Sequence, residues 1–202
     1  TLHLHRGPGR IKRLRGVAYS TGVSASNNGR MIHAAREVLN PLVADVHIAA
    51  QYDQAPLVPT GDGKASKRRL GIGFGLSLVA ESSAAGVLYS ADVVVPASGG
   101  VVPEDIGKRC AHQLLETIAQ GGCVTHVSAG VVLILMAMGS EDVGRLRIGR
   151  DVLATEDTVS LARDLKAFGA SSWGLRDVGD DSGDIIVSVK GTGVGNVGRK
   201  MA

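Results

Sequence analysis

Residues 103–124 read PEDIGKRCAHQLLETIAQGGCV, and the fold turns on them. Pro103 suits the first helical position, where its missing N–H has no intrahelical partner to lose. Glu104 and Asp105 complement the positive end of the helix dipole. Ile106, Cys110, Leu114 and Ile118 then recur at four-residue steps and line one stripe up to Gly121. The spacing predicts a helix with one buried face, and such a face needs a sheet or another helix to cover it.

On the C-terminal side, the uninterrupted apolar run from Val131 to Met138 reads as a buried strand. Val143–Ile148 reads as another, with Arg145 and Arg147 on the face opposite Leu146 and Ile148. Thr155 offers an N-cap, Glu156 and Asp157 suit the first turn, and Leu161, Ala162, Leu165 and Phe168 supply a buried arc before Gly169. Ile185–Lys190 closes this half as a strand.

On the N-terminal side, Met31, Ala35, Val38, Leu39 and Leu42 mark a helix, with Asn27 or Asn28 placed to cap it and Pro41 near its end. Val46, Ile48, Ala50 and Tyr52 alternate with polar or small residues as in a strand with one buried face, and Ile72, Phe74, Leu76 and Leu78 repeat the pattern. Gly86–Val95 is a further β-rich run. Residues 10–95 thus read as strand, helix and three strands, with Asp53–Leu70 a solvated loop. Strands mixed with helices in two segments predict an α/β or α+β fold.

The chain has 202 residues, 44% hydrophobic and 20% charged. That composition excludes a disordered chain, and the length accommodates one large or two small domains. An apolar run of eight residues falls far short of the roughly 20 that cross a bilayer as a helix, so no membrane association is expected. No signal peptide is visible at the first residues. Cys110 and Cys123 are too few for a disulfide scaffold or a four-thiolate metal site, and a reducing compartment is the default. One Trp, three Tyr and two Phe argue against an array of base-stacking platforms.

Charge is unevenly placed. Residues 1–70 hold eleven Lys and Arg against four acids, whereas residues 71–202 hold eleven against fifteen. Arg10, Lys12, Arg13 and Arg15, beside Arg6, form one cluster, and Lys64, Lys67, Arg68 and Arg69 another. Each is dense enough to attract a polyanion, and a phosphate backbone is the candidate.

Several apparent motifs fail on context. Gly193, Gly195 and Gly198 spell G-x-G-x-x-G, but the four residues that follow leave no room for a pyrophosphate-binding helix. Gly71, Gly73 and Gly75 interleave with a strand, where glycine marks a bulge or close backbone approach. His3 and His5 share one side of a strand without a further metal ligand nearby. Cys123 and His126 are three apart in an apolar setting with no orienting acid. One constellation stays open: Arg163 and Lys166 share a helical face, and Asp164 projects about 100° round from Arg163. Two cations and a carboxylate can grip a phosphate and orient a water, although a solvated helical face has the same spacing.

RGVAYSTGVSAS (15–26), GIGFGLSLVAES (71–82), PEDIGKRCAHQLLETIAQGGCV (103–124), MAMGSEDVGRLRIG (136–149) and LARDLKAF (161–168) together resemble one family, the RNA 3′-terminal phosphate cyclase superfamily. Within it the chain is most similar to the cyclase-like branch, eukaryotic nucleolar proteins of small-subunit ribosome assembly. The resemblance runs from about Arg10 to the closing IVSVKGTGVGNVGRKMA. Family members are considerably longer, so the match is to their C-terminal part. It implies three segments: 1–9 ending a large-domain segment, 10–98 an inserted small βαβββ domain, and 99–202 the last α/β repeat of the large domain.

The resemblance also bears on chemistry. True cyclases carry a histidine that accepts AMP just ahead of the helix corresponding to the one starting near Thr155. This chain has Asp151, Val152, Leu153 and Ala154 there. With no imidazole to form the nucleotidyl-enzyme bond, ATP-dependent cyclisation is not expected, and no cofactor is implied. The branch acts in early pre-rRNA cleavage for the small subunit and binds a large assembly GTPase. The implied partners are therefore pre-rRNA, that GTPase and other small-subunit processome proteins, in the nucleolus of the nucleus. The R-D-x-K pattern proposed as a cleavage element in the branch matches Arg163, Asp164 and Lys166. The RNA-binding residues expected from the basic clusters and the charged strand face are Arg10, Lys12, Arg13, Arg15, Lys64, Lys67, Arg68, Arg69, Arg145 and Arg147. After GGCV this chain reads Thr125-His126-Val127-Ser128-Ala129, where the branch has an Asp and a polar run.

Overall fold

A computed structural model describes residues 2–59, 67–96, 100–169 and 173–194. The chain divides into two compact units, one made of residues 10–83 and 88–118, the other of residues 1–9, 84–87 and 119–202.

The first unit is a four-stranded mixed sheet backed by two helices. Its strands are β2 (Ile11–Thr21), β3 (Val46–Asp53), β6 (Gly73–Ser82) and β7 (Leu88–Pro96), in the order β3-β2-β6-β7. β2 and β3 run parallel and are joined through α1 (Ser26–Leu39), as a parallel pair requires a crossover. The other pairs are antiparallel. Leu14, Ala18, Leu76, Leu78, Ala80, Tyr89, Ala91 and Val93 line the covered face. Met31, Ala34, Ala35 and Leu39 of α1 and Ile106, Cys110, Ala111 and Leu114 of α2 (Pro103–Ala119) bury against it. A Cβ on Gly107 would lie 2.3 Å from the Met31 carbonyl oxygen, so only glycine lets these two helices approach so closely. The helix predicted over 103–118 is therefore present and packs in this unit.

Three local expectations change. Asn27 and Asn28 lie inside α1 and do not cap it; Asn28 is buried and donates from Nδ2 to the Gln51 carbonyl at 2.7 Å. The loop over 53–70 contains a short antiparallel pair, β4 (Leu57–Pro59) with β5 (Lys67–Arg69). Only Ile48 of β3 is buried, because β3 is an edge strand.

The second unit is another mixed sheet, in the order β1-β8-β10-β9, of β1 (His3–Leu4), β8 (Val143–Ile148), β9 (Trp173–Asp177) and β10 (Ile185–Lys190). Leu146, Ile148, Val187 and Val189 face a core completed by Leu133, Met136 and Ala137 of α3 (His126–Met138) and Val152 of α4 (Arg150–Leu153). Leu161 and Leu165 of α5 (Glu156–Ala167) pack at its margin. Thr155 caps α5 as predicted, its Oγ1 accepting from the Thr158 N–H. The apolar run Val131–Met138, however, is helical. A continuous apolar stretch carries no period to separate strand from helix, and here it supplies both the buried Leu133, Met136 and Ala137 and an exposed stripe of Val127, Val131, Leu135 and Met138. Phe168 is 90% exposed and lies outside the predicted arc, because α5 ends at Ala167. Among the described residues no helix is long and apolar enough to cross a membrane.

Candidate nucleic-acid interface

The first basic cluster lies at the start of β2. Arg13 and Arg15 project from the face opposite the helices and are matched by acids. Arg13 sits across from Glu81 and donates to it from Nε at 2.7 Å. Arg15 grips Asp45 with both terminal nitrogens, at 2.8 and 2.7 Å. Those bonds hold the Asp45 carboxyl below the ordinary aspartate range and raise the guanidinium of Arg15. Arg10 and Lys12 are exposed, and Lys12 lines a shallow hollow with Arg13, Asp45, Glu81 and Ser82. Further along the same face the Tyr19 ring lies over Gly75, where any side chain would displace it, and the hydroxyl of Ser77 donates to Asp92. Burial raises the Tyr19 phenol, with the nearby carboxylate of Asp92 adding to it.

The second cluster is on β5. Arg69, Arg68 and Lys67 pair in register with Leu57, Val58 and Pro59, and Arg69 is exposed. Lys64 lies outside the described residues.

The third group is on the second sheet. With Leu146, Val187 and Val189 turned to the core, the period of two turns Arg145 and Arg147 the other way, as predicted. Arg145 is exposed. Arg147 is buried: its Nε donates to Asp184 at 2.5 Å, and one terminal nitrogen reaches Asp180 at 2.8 Å and the Ser182 hydroxyl at 2.9 Å. Burial opposes its charge, but the bonds from Asp184 and Asp180 outweigh that and raise its pKa. Its cation is thus engaged inside the fold. Register adds two cations that the sequence reading missed. Arg176 stands across β10 from Arg147 through Ile186, and Lys190 is paired with Val143, so both share the face of Arg145 and His3. Arg145, Arg176 and Lys190 are exposed on this face, whereas Arg147 is covered by the loop that carries Asp180 and Ser182. Lys190 is in phase with Arg145 on a strand that the sequence predicts, whereas Arg176 stays hidden until β9 is recognised.

Arg163, Asp164 and Lys166 are exposed on α5, and none makes a side-chain hydrogen bond or ion pair with a described residue. They are not gathered into a cleft. Asp151, Val152, Leu153 and Ala154 occupy α4 and its C-cap, with Val152 buried in the core. Cys123 donates to the Arg6 carbonyl and His126 meets Gln120 at 3.2 Å, so the two do not form a nucleophile and base. Among the described residues no three His, Cys, Asp or Glu side chains could hold a metal ion; the His3 and His5 rings meet edge to face at 6.0 Å.

Residues 6–119 match the family model for the insert domain of RNA 3′-terminal phosphate cyclase. The chain belongs to the RNA 3′-terminal phosphate cyclase family. It is 38% identical to the RNA 3′-terminal phosphate cyclase-like protein of Mus musculus over 164 residues, covering 80% of this chain and 40% of that protein. It is 35% identical over 193 residues to the rRNA processing protein RCL1 of Saccharomyces cerevisiae, covering 95% of this chain and 49% of that one. It is 35% identical over 193 residues to the rRNA processing protein rcl1 of Schizosaccharomyces pombe, covering 96% and 49%. The chain therefore spans about half the length of these relatives. The family model ends where α2 ends, so the cyclase insert domain includes the helix that backs β6 and β7.

Proposed function

We propose that this cyclase-family chain acts in rRNA processing as an RNA-binding component and not as a cyclase. It holds pre-rRNA of the small-subunit pathway within the nucleolus, beside an assembly GTPase and other processome proteins. The observation that carries this reading is the set of exposed cations on one face of the second sheet. There Arg145, Lys190 and Arg176 stand on three successive strands, β8, β10 and β9, with Lys190 two residues to one side of the Arg145 row and Arg176 two residues to the other, a spread of cations that suits separate contacts to a phosphate backbone. Arg145 and Arg176 form no ion pair with a described residue, so their charge is available to an anion. Arg13 and Arg15 are already matched by Glu81 and Asp45 and contribute less. The names of the two yeast relatives support the pathway. Cyclisation is disfavoured because residues 151–154 offer no nitrogen to carry a nucleotide.

Binding of a labelled rRNA fragment at several salt concentrations tests this. In Arg145→Glu/Arg176→Glu, affinity should fall and the salt slope shrink by about 0.7 for each single-strand phosphate that is no longer neutralised. An unchanged slope removes this face from the RNA surface. Asp164→Ala should leave binding intact. Specific cleavage of pre-rRNA by the parent chain, abolished in that variant, would instead assign an endonuclease to Arg163, Asp164 and Lys166.

A further inference from the structure

β3 is an edge strand, paired on one side with β2 and with no other described strand. Its ladder to β2 shows which groups face outward. The Asp45 carbonyl accepts from the Leu14 N–H at 2.8 Å, and the Asp53 carbonyl accepts from the Gly22 N–H at 3.0 Å. In a parallel pair, alternate residues turn both N–H and C=O to the neighbour. His47, Ala49 and Gln51 therefore serve β2, and Val46, Ile48, Ala50 and Tyr52 turn theirs away. No described residue hydrogen-bonds those outward groups.

Natural edge strands are blunted by Lys, Pro, a bulge or a covering element. VHIAAQYD holds no Lys or Pro, and the irregularity in this sheet lies between β2 and β6. The helical layer also stops short of β3. On that side α1 seals Ile48 but leaves Ala50 exposed and Tyr52 49% exposed. At the opposite edge every helix-side residue of β7, Tyr89, Ala91, Val93 and Val95, is buried. The two rims differ, and β3 has the unfinished one.

We propose that β3 receives an extended segment of a partner protein by β-strand addition. Four N–H donors alternating with four C=O acceptors call for a ligand carrying both in the same rhythm, which a polypeptide strand does. An RNA backbone carries phosphate acceptors and ribose hydroxyl donors, but they repeat with the nucleotide, about 6 Å, and do not alternate in step with the groups of a strand edge. The segment has small apolar side chains over Ala50 and Tyr52 and polar ones on the side of His47 and Gln51. A basic residue lies at the Asp53 end, where among the described residues the exposed carboxylate accepts only from Gln51 Nε2, at 3.2 Å. This inference does not rest on the RNA-binding reading.

The test is amide exchange of the 202-residue chain, followed by NMR, with and without the peptide Lys-Val-Thr-Val-Thr-Val-Lys. The peptide should slow exchange at Val46, Ile48, Ala50 and Tyr52 by about tenfold or more and leave His47, Ala49 and Gln51 less affected. Ala50→Pro deletes an outward N–H and no bond to β2, so it should abolish the effect without lowering Tm. If that variant does not fold, Tyr52→Lys, at an exposed position, should abolish the effect instead. Unchanged exchange at millimolar peptide overturns the proposal. So does slowing that appears without peptide as protein concentration rises, with a dimer in sedimentation, since that assigns the rim to a second copy.

Discussion

Arg147 and Asp184 form an ion pair inside the second unit, with side chains only 9% and 2% exposed. The strand β8 carries one partner and the loop before β10 the other, so the pair ties that loop to the sheet. Removing one member strands the other in a low-dielectric setting, which costs about 3 kcal/mol or more. Arg147→Met should lower Tm by about 2–4 °C per kcal/mol in a chain of this size. Arg147→Met/Asp184→Leu should recover most of that drop, because an apolar pair removes both desolvation penalties. Thermal melts of the single and double variants decide it; a double variant no better than the single would refute the pairing.

Gly107→Ala reverses an ordinary rule. In a helix interior Ala is favoured over Gly by about 1 kcal/mol. Here the added methyl meets the Met31 carbonyl oxygen at 2.3 Å, against backbone that cannot rotate away. Separating α1 from α2 should cost about 1–3 kcal/mol, typical of overpacking. Urea denaturation is the measurement, and a stabilised variant would contradict the close approach of the two helices.

Cys110 is fully buried, and burial pushes its thiol up to about 12. Its Sγ lies 3.3 Å from the Leu76 carbonyl and 3.4 Å from that of Ala91. Because thiolate is the reactive form, iodoacetamide at pH 8 should leave Cys110 unmodified in the native chain and label it once denaturant opens the first unit. Peptide mapping by mass spectrometry gives the answer; rapid native labelling would show that α2 does not cover β6 and β7.

The surface pairs Arg15–Asp45 and Arg30–Glu104 add a modest acid sensitivity to the first unit. Hydrogen bonds from the guanidinium lower both carboxyls in the folded state. A depressed carboxyl contributes stability that is present above its unfolded pKa and is lost as pH falls through its folded pKa. The parent chain should lose stability on acidification below about pH 4.5, near the unfolded carboxylate range. Asp45→Asn/Glu104→Gln should show a flatter dependence there. Equal slopes in urea titrations at pH 3 to 6 would exclude the pairs as a source.

Elements with a clean period were legible in the sequence. The four-residue steps of Ile106, Cys110 and Leu114 and the alternation of Phe74, Leu76 and Leu78 each describe one covered face, which the structure contains. Val131–Met138 was not legible, because apolar residues on every side erase the period. β9 was hidden because its Leu175 is 62% exposed and only Trp173 reaches the core. At the candidate site, the phase of Arg145 and Arg147 followed from alternation. That Arg147 is consumed by Asp184 did not, since its partners lie 33 and 37 residues away and arrive through a loop without regular structure.

β1 pairs His3 with Arg145, so the sheet of the second unit recruits a strand that precedes the whole first unit in sequence. During synthesis residues 3–4 must wait for their neighbour until β8 has left the ribosome, while β2, α1, β3, β6, β7 and α2 are contiguous enough to settle earlier. Vectorial synthesis thus gives the embedded unit a head start. If it settles late, β1 and the β8 rim stay unclaimed, which makes β1 the point where errors in assembling this chain would begin.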